Sequence, residues 1–223
     1  MRYRVLIYAF IFLIIGTAGC APAAPSSVFS ETSAVSSSQP KYVLSAEDAA
    51  KIESYKELPD SDEEIIAAYH YQFDLEDYLK TSLAERGYTE EQIARIDKQD
   101  YEILTKEWPI NPNNPGGRTY GDLEEEAKQK YEEYKREKMP TPQQQAPLDE
   151  LGIDNWLLWE MIDEGADTTV DELLSLPEEK LIEMRDSVAG YILIGEAFEN
   201  WRQMIRARYF EITGGKPFVD AGS

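Results

Sequence analysis

"PEEKLIEMRDSVAGYILIGEAFENWRQMIRARYFEITGG", residues 177–215, decides the fold of this chain. Its larger apolar side chains recur as Leu181, Met184, Val188, Tyr191, Phe198, Trp201, Ile205 and Tyr209, with Gly195 filling one slot. Steps of three and four residues keep to one face of a helix with 3.6 residues per turn. The spacing predicts one long C-terminal helix, and Pro177 suits its first turn, where a missing N–H costs nothing. Gly190 and Gly195 each cost about 1 kcal/mol relative to Ala inside a helix. They are expected where a neighbouring helix comes close.

Working back from that helix, the helical period holds nearly everywhere. "DNWLLWEMIDEG" and "TTVDELLSL" precede it, and Trp156 and Trp159, three apart, are expected to share a face, with at least one buried against the long helix. Residues 140–147, "PTPQQQAP", read as a Pro/Gln linker between helical regions at 45–139 and 148–223, which could form one domain or two. In the first region, Ser45 with Asp48, Ser61 with Glu64, and Thr89 with Gln92 have the spacing of helix N-caps, as do Asp97 and Asp100. Ile65, Tyr69, Phe73, Leu79 and Leu83 are placed inward, and Gly87 suits a left-handed stop. Residues 87–104 and 165–184 share a weak repeat of a Thr-capped short helix followed by a second helix. Closely spaced start signals predict an all-α fold, a compact multi-helix array.

Chemistry is sparse. His70 is the only histidine and Cys20 the only cysteine. Ordinary zinc sites, which need three or four ligands drawn mostly from these types, lack donors. No "GxSxG" stretch offers a nucleophilic serine, and His70 reads as a partly buried helix residue. The loop "WPINPNNPGGRTYGD", residues 108–122, partly echoes a calcium loop, with Asn111, Asn113, Gly116 and Asp122 at places one, three, six and twelve. Its early ligands are neutral amides, so a rigid connector is the stronger reading. No metal or other cofactor is expected.

At the other end, "MRYR" precedes a charge-free run from Val5 to Gly19. A spanning helix needs about 20 apolar residues. A shorter run behind a basic start and before small residues describes a secretory signal peptide, residues 1–19. "TAG" directly before Cys20 resembles the lipobox of bacterial lipoproteins, with Thr17 where that family usually has Leu. The resemblance covers the first twenty residues. It implies that the Cys20 thiol receives a diacylglyceryl group and anchors the protein outside the cytoplasm. Residues 20–44, rich in Ser, Ala and Pro, then read as a flexible tether spanning about 25–30 Å as a coil.

Charge bounds the partners. The chain holds 22 Lys+Arg against 43 Asp+Glu, a net charge of −21. Loss of Arg2 and Arg4 with a cleaved signal makes the mature chain more acidic still. Nucleic acid, which wants a basic face, is excluded as a partner. The partners expected are the membrane, through the lipid, and an unknown protein or envelope component. Trp108, Arg118 and Tyr120 in the loop are residue types that dominate interfaces. Trp201, Arg202 and Arg206 form a second candidate patch, with Arg202 and Arg206 four apart on one face. Against that stands a plainer role for the arginines, serving the helix C-terminus and pairing with acidic helices. The leading expectation is a lipid-anchored extracytoplasmic binding module. An accessory subunit of an envelope or secretion complex is one alternative, and a cell-wall hydrolase using paired carboxylates is another.

Overall fold

The computed structural model describes residues 42–164 and 168–219. Among these residues it contains ten helices and no strand, so the protein is all-α. In order they are α1 Ala46–Ser54, α2 Asp62–Phe73, α3 Asp77–Glu85, α4 Glu90–Ile93 and α5 Lys98–Lys106. They continue as α6 Tyr120–Lys138, α7 Pro142–Glu150, α8 Asn155–Glu164, α9 Val170–Leu174 and α10 Glu178–Thr213. The signal-like segment, Cys20 and all of the expected tether except its last three residues lie outside the described residues.

The start signals are realised locally. Ser61 and Glu64 form a reciprocal capping box, as do Thr89 and Gln92, and Thr169 and Glu172 repeat it at α9. Ser45 accepts from the Asp48 amide, and Asp97 from the Asp100 amide. These contacts satisfy amides that no intrahelical carbonyl can reach. Gly87 follows α3 with φ of 91°. The repeat extends only to the Thr caps, because α5 starts on a capping Asp97 while α10 starts on Pro177 without a side-chain cap.

The Pro/Gln stretch is a helix rather than a linker. Thr141 caps α7 in a box with Gln144, Pro142 takes the first turn, and Pro147 is accommodated inside. Pro at the first turn is pre-shaped for a helix, and Leu148, fully buried, ties α7 to the core. Tyr42 also packs on that core, so it belongs to the helical body and not to the expected tether.

α10 is a single helix of 36 residues that serves two separate cores. Its first half meets Leu148, Ile153, Leu157, Leu158, Met161 and Leu173 through Leu181, Ala189 and Ile192. Its second half packs Ile205, with Trp201 and Tyr209, on Ile65, Tyr69 and Phe73 of α2. At 100° per residue these two sets fall on nearly opposite faces of the helix. That explains a departure from the expected stripe: Tyr191 is exposed, and Ile192 goes inward with Ala189 and Arg185. Gly190 lets α1 approach, since a Cβ there would lie 3.1 Å from Asp48 Oδ2. A third core gathers Leu75, Leu83, Ile96 and Trp108, with Phe218 from the C-terminal tail packed against it.

The two tryptophans of α8 part company. Trp156 is exposed and Trp159 is buried, 1% accessible. The contacts that cage Trp159 come from α6: Tyr131 and Tyr134 edge-on at 5.5 and 5.8 Å, and Lys135 over its ring. Its indole N–H donates to the Tyr131 hydroxyl. The side chains of α8 in the core with α10 are Leu157, Leu158 and Met161.

Leu158→Ala should cost about 2–5 kcal/mol, the range for deleting a fully buried leucine side chain. For a chain of this size each kcal/mol moves the melting temperature by about 2–4 °C. Calorimetry should therefore show a fall of at least about 4 °C, while Trp156→Ala at the exposed neighbour stays within about 2 °C. Equal effects would contradict this placement of α8.

Candidate functional site

The strongest concentration of charge and hydrogen bonds in the interior lies where α2, α5, α10 and the C-terminal tail meet. Arg206 on α10 donates through Nε to Asp97 Oδ2 at 2.7 Å and through Nη2 to Asp100 Oδ1 at 2.8 Å. The Tyr69 hydroxyl donates to the same Asp97 oxygen at 3.0 Å. Asp97 meanwhile caps α5 with its other oxygen. Asp100, fully buried, accepts from the Phe218 amide at 3.0 Å and the Val219 amide at 3.4 Å. Gly214, in the left-handed region at φ of 66°, ends α10 and lets the tail turn back.

Electrostatics follows from this arrangement. Burial opposes the Arg206 charge, but Asp97 and Asp100 outweigh it, and its pKa is raised. Burial and then the Asp97 charge raise the Asp100 pKa, against the lowering effect of the Phe218 amide and Arg206. Burial, with Asp97 next, raises Tyr69 strongly, so it stays a neutral donor. The two carboxylates are the nearest approach to an acid pair in this interior. Each is occupied by the guanidinium, and both are at least 95% buried. This is a structural node; a hydrolase needs its carboxylates open to a substrate and a water.

Beside it, burial pushes Glu102 up to about 7, with Arg202 and Lys106 lowering it and Glu199 and Asp97 raising it. Arg202 is only partly buried. It donates to Glu199 at 2.7 Å, and its guanidinium lies 4.9 Å from the Phe73 ring centre. Trp201 stacks on Phe198 and leans on Tyr55. The expected patch of Trp201, Arg202 and Arg206 is thus turned largely to internal work. Arg206 is withdrawn from any partner, because its acidic counterpart lies within the chain.

The 108–122 loop is closed by an antiparallel bridge between Pro109 and Thr119. Ile110 donates to the Arg118 carbonyl, and Tyr120 to that of Trp108. Trp108 is a core residue, with the Arg86 guanidinium 3.9 Å over its ring. Tyr120 and Arg118 remain on the surface, and Arg118 pairs with Glu126. Asn111 Oδ1 accepts from the Asn113 amide, and Asp122 closes a capping box with Thr119. The Thr119 amide holds the Asp122 carboxyl below its usual range. Two of the calcium-like donors are therefore already bonded to the backbone. Among the described residues, no group of three or more His, Cys, Asp or Glu side chains is arranged to hold a metal ion. His70 is exposed and bonded to Asp74.

No protein-family model, curated protein or solved structure matches this chain. Sequence reasoning missed the node because Asp97 and Asp100 read as helix starts. Their partner lies 109 and 106 residues away.

Glu102 carries a pH prediction. Its folded pKa, about 7, exceeds the ordinary 4.5. The folded state therefore holds a proton that the unfolded state has lost, and stability falls as pH rises from about 4.5 to 7. Glu102→Gln mimics the protonated form. Melting temperatures of the two proteins should agree at pH 4 and diverge at pH 8, with the variant higher by about 2–4 °C per kcal/mol recovered. Solvent screening at this half-buried site reduces the gain. The same difference at both pH values would contradict it.

Proposed function

We propose that this protein is a bacterial lipoprotein, held outside the cytoplasm through Cys20, whose acidic helical body is a protein-interaction module. The observation that carries the reading is the junction Thr17-Ala18-Gly19-Cys20, placed directly after a charge-free apolar run and holding the chain's one cysteine. A single acyl chain binds a membrane only marginally, so two or three chains on one residue would make a stable anchor. No described helix is long and apolar enough to cross a membrane.

Support on the side of the body comes from aromatic side chains held out on a rigid frame. Tyr71 at 84% and Tyr78 at 71% accessibility flank the turn between α2 and α3. Tyr120 and Arg118 flank the bridged loop. Tyr and Arg are the types that anchor interfaces, and presenting them from packed helices limits the entropy lost on binding.

Mass spectrometry of the membrane fraction tests the anchor. The mature chain should begin at Cys20 and carry diacylglyceryl mass, and Cys20→Ala should abolish that mass. An unmodified Cys20 thiol in the membrane-bound chain would contradict the proposal. Crosslinking in intact cells should then trap extracytoplasmic proteins through Tyr71 or Tyr78, and capture unchanged by Tyr71→Ser with Tyr78→Ser would remove these residues from the interface.

A further inference from the structure

α6 is unusual among the longer helices because none of its 19 residues is buried. It touches the body near its two ends. Lys106 Nζ reaches Glu124 at 3.0 Å at one end, and Tyr131 with Tyr134 cages Trp159 at the other. A helix so exposed has to be supported along its charged faces or by a partner. Tyr120, Leu123, Ala127 and Tyr134 lie at steps of three, four and seven residues, within about 60° of one another around the axis. All four are exposed, Tyr120 and Tyr134 at 45% and Leu123 at 39%. They form an apolar stripe that Lys130 interrupts between Ala127 and Tyr134, and one edge of Tyr134 is taken up by Trp159 and Lys138.

The charges beside the stripe are segregated along its length. The first turns hold Asp122, Glu124, Glu125 and Glu126 without a cation, while the rest of the helix sets Lys128, Lys130, Lys135, Arg136 and Lys138 against Glu132, Glu133 and Glu137, so its end is basic on balance. Such a helix is complementary to itself when reversed. Ala127 is the midpoint between Tyr120 and Tyr134, which are about 21 Å apart at 1.5 Å per residue. A two-fold axis there brings each Tyr120 opposite the second copy's Tyr134, with the smallest side chain at the closest approach. Glu126 and Lys130 share the outer flank of the stripe, so in an antiparallel pair each faces its opposite charge on the second copy.

We infer that α6 is a homodimerisation surface, on which two copies of this chain pair antiparallel about Ala127. The interface is isologous, the commonest closed arrangement of identical chains. Its occupant is set by charge: the acidic start of one helix lies along the net-basic end of the other, whereas a parallel pair would lay the two acidic starts side by side. The Arg118–Glu126 pair lies at the edge of this contact and can share Glu126 with the incoming Lys130. The inference takes Tyr120 and Arg118 from the surface proposed above and gives them to a second copy, leaves Tyr71 and Tyr78 to a different partner, and stands whether or not Cys20 is acylated.

Oxidative crosslinking of the full chain in membranes tests it. Ala127→Cys should give a band at twice the chain mass, several-fold stronger than the unaltered chain with Cys20 alone. Gln129→Cys, on the opposite face of α6, should match that unaltered baseline. In the Ala127→Cys background, E126K should weaken the band, K130E should weaken it too, and E126K with K130E should restore it. Restoration separates lost pairing from lost folding. Equal yields at positions 127 and 129, monomer in every variant, or no restoration by the double exchange would overturn the proposal, and monomer throughout would leave the stripe to a different protein.

Discussion

The architecture depends on one buried guanidinium. Arg206 is 7% accessible and bridges two carboxylates, Asp97 and Asp100, offsetting part of their charge in the interior. A buried ion pair gains little over a well-packed apolar replacement, yet breaking one side costs about 3–5 kcal/mol, because a charge is left without compensation. Its satisfaction here is nearly complete: Tyr69, the α5 N-terminus and two tail amides take up the other carboxylate lone pairs. The node lies between the core built on α2 and the core that includes Trp108 and Phe218. It fixes α5 against α10 in one register and holds the tail against the third core. Apolar packing is tolerant of small slips; a three-way charge network is not.

Two consequences reach the surface. With α5 fixed, the bridged loop after it projects α6 from a set origin, and the Gly121 backbone can lie close to the Lys106 carbonyl. The far end of α6 is held by the aromatic cage around Trp159. A helix clamped at both ends and exposed between them is a rigid presenter of side chains. The same logic applies to Tyr71 and Tyr78, carried on α2 and α3, whose buried faces belong to the second and third cores.

Much of this was legible in the sequence, because helix caps and periodicity are local properties. Ser61, Thr89 and Thr169 announce their helices within three residues. The long helix was legible in its existence and in its second half, where Trp201, Ile205 and Tyr209 face α2. In its first half Leu181, Met184 and Val188 face the first core as expected, and the reading fails at Tyr191, where Ile192 turns inward instead because the helix serves two cores on nearly opposite faces. Residues 140–147 misled through composition: Pro and Gln suggest a linker, but a Thr cap and Pro at the first turn are equally a helix start. For the candidate sites, residue type chose Trp108 and spacing chose Arg206 as interface anchors, although the plainer role weighed for Arg206, pairing with an acidic helix, is the one it has. Burial decided otherwise, and burial depends on contacts distant in sequence.

Hydrogen exchange on Arg206→Lys tests the central claim most directly. Lysine keeps the charge but cannot bond both carboxylates in the fixed fork of arginine. Amides of α5, residues 98–106, and of the tail, residues 214–219, should lose protection together, while those of α8 and α9 in the first core keep theirs. Unchanged protection in α5 and the tail would contradict the account.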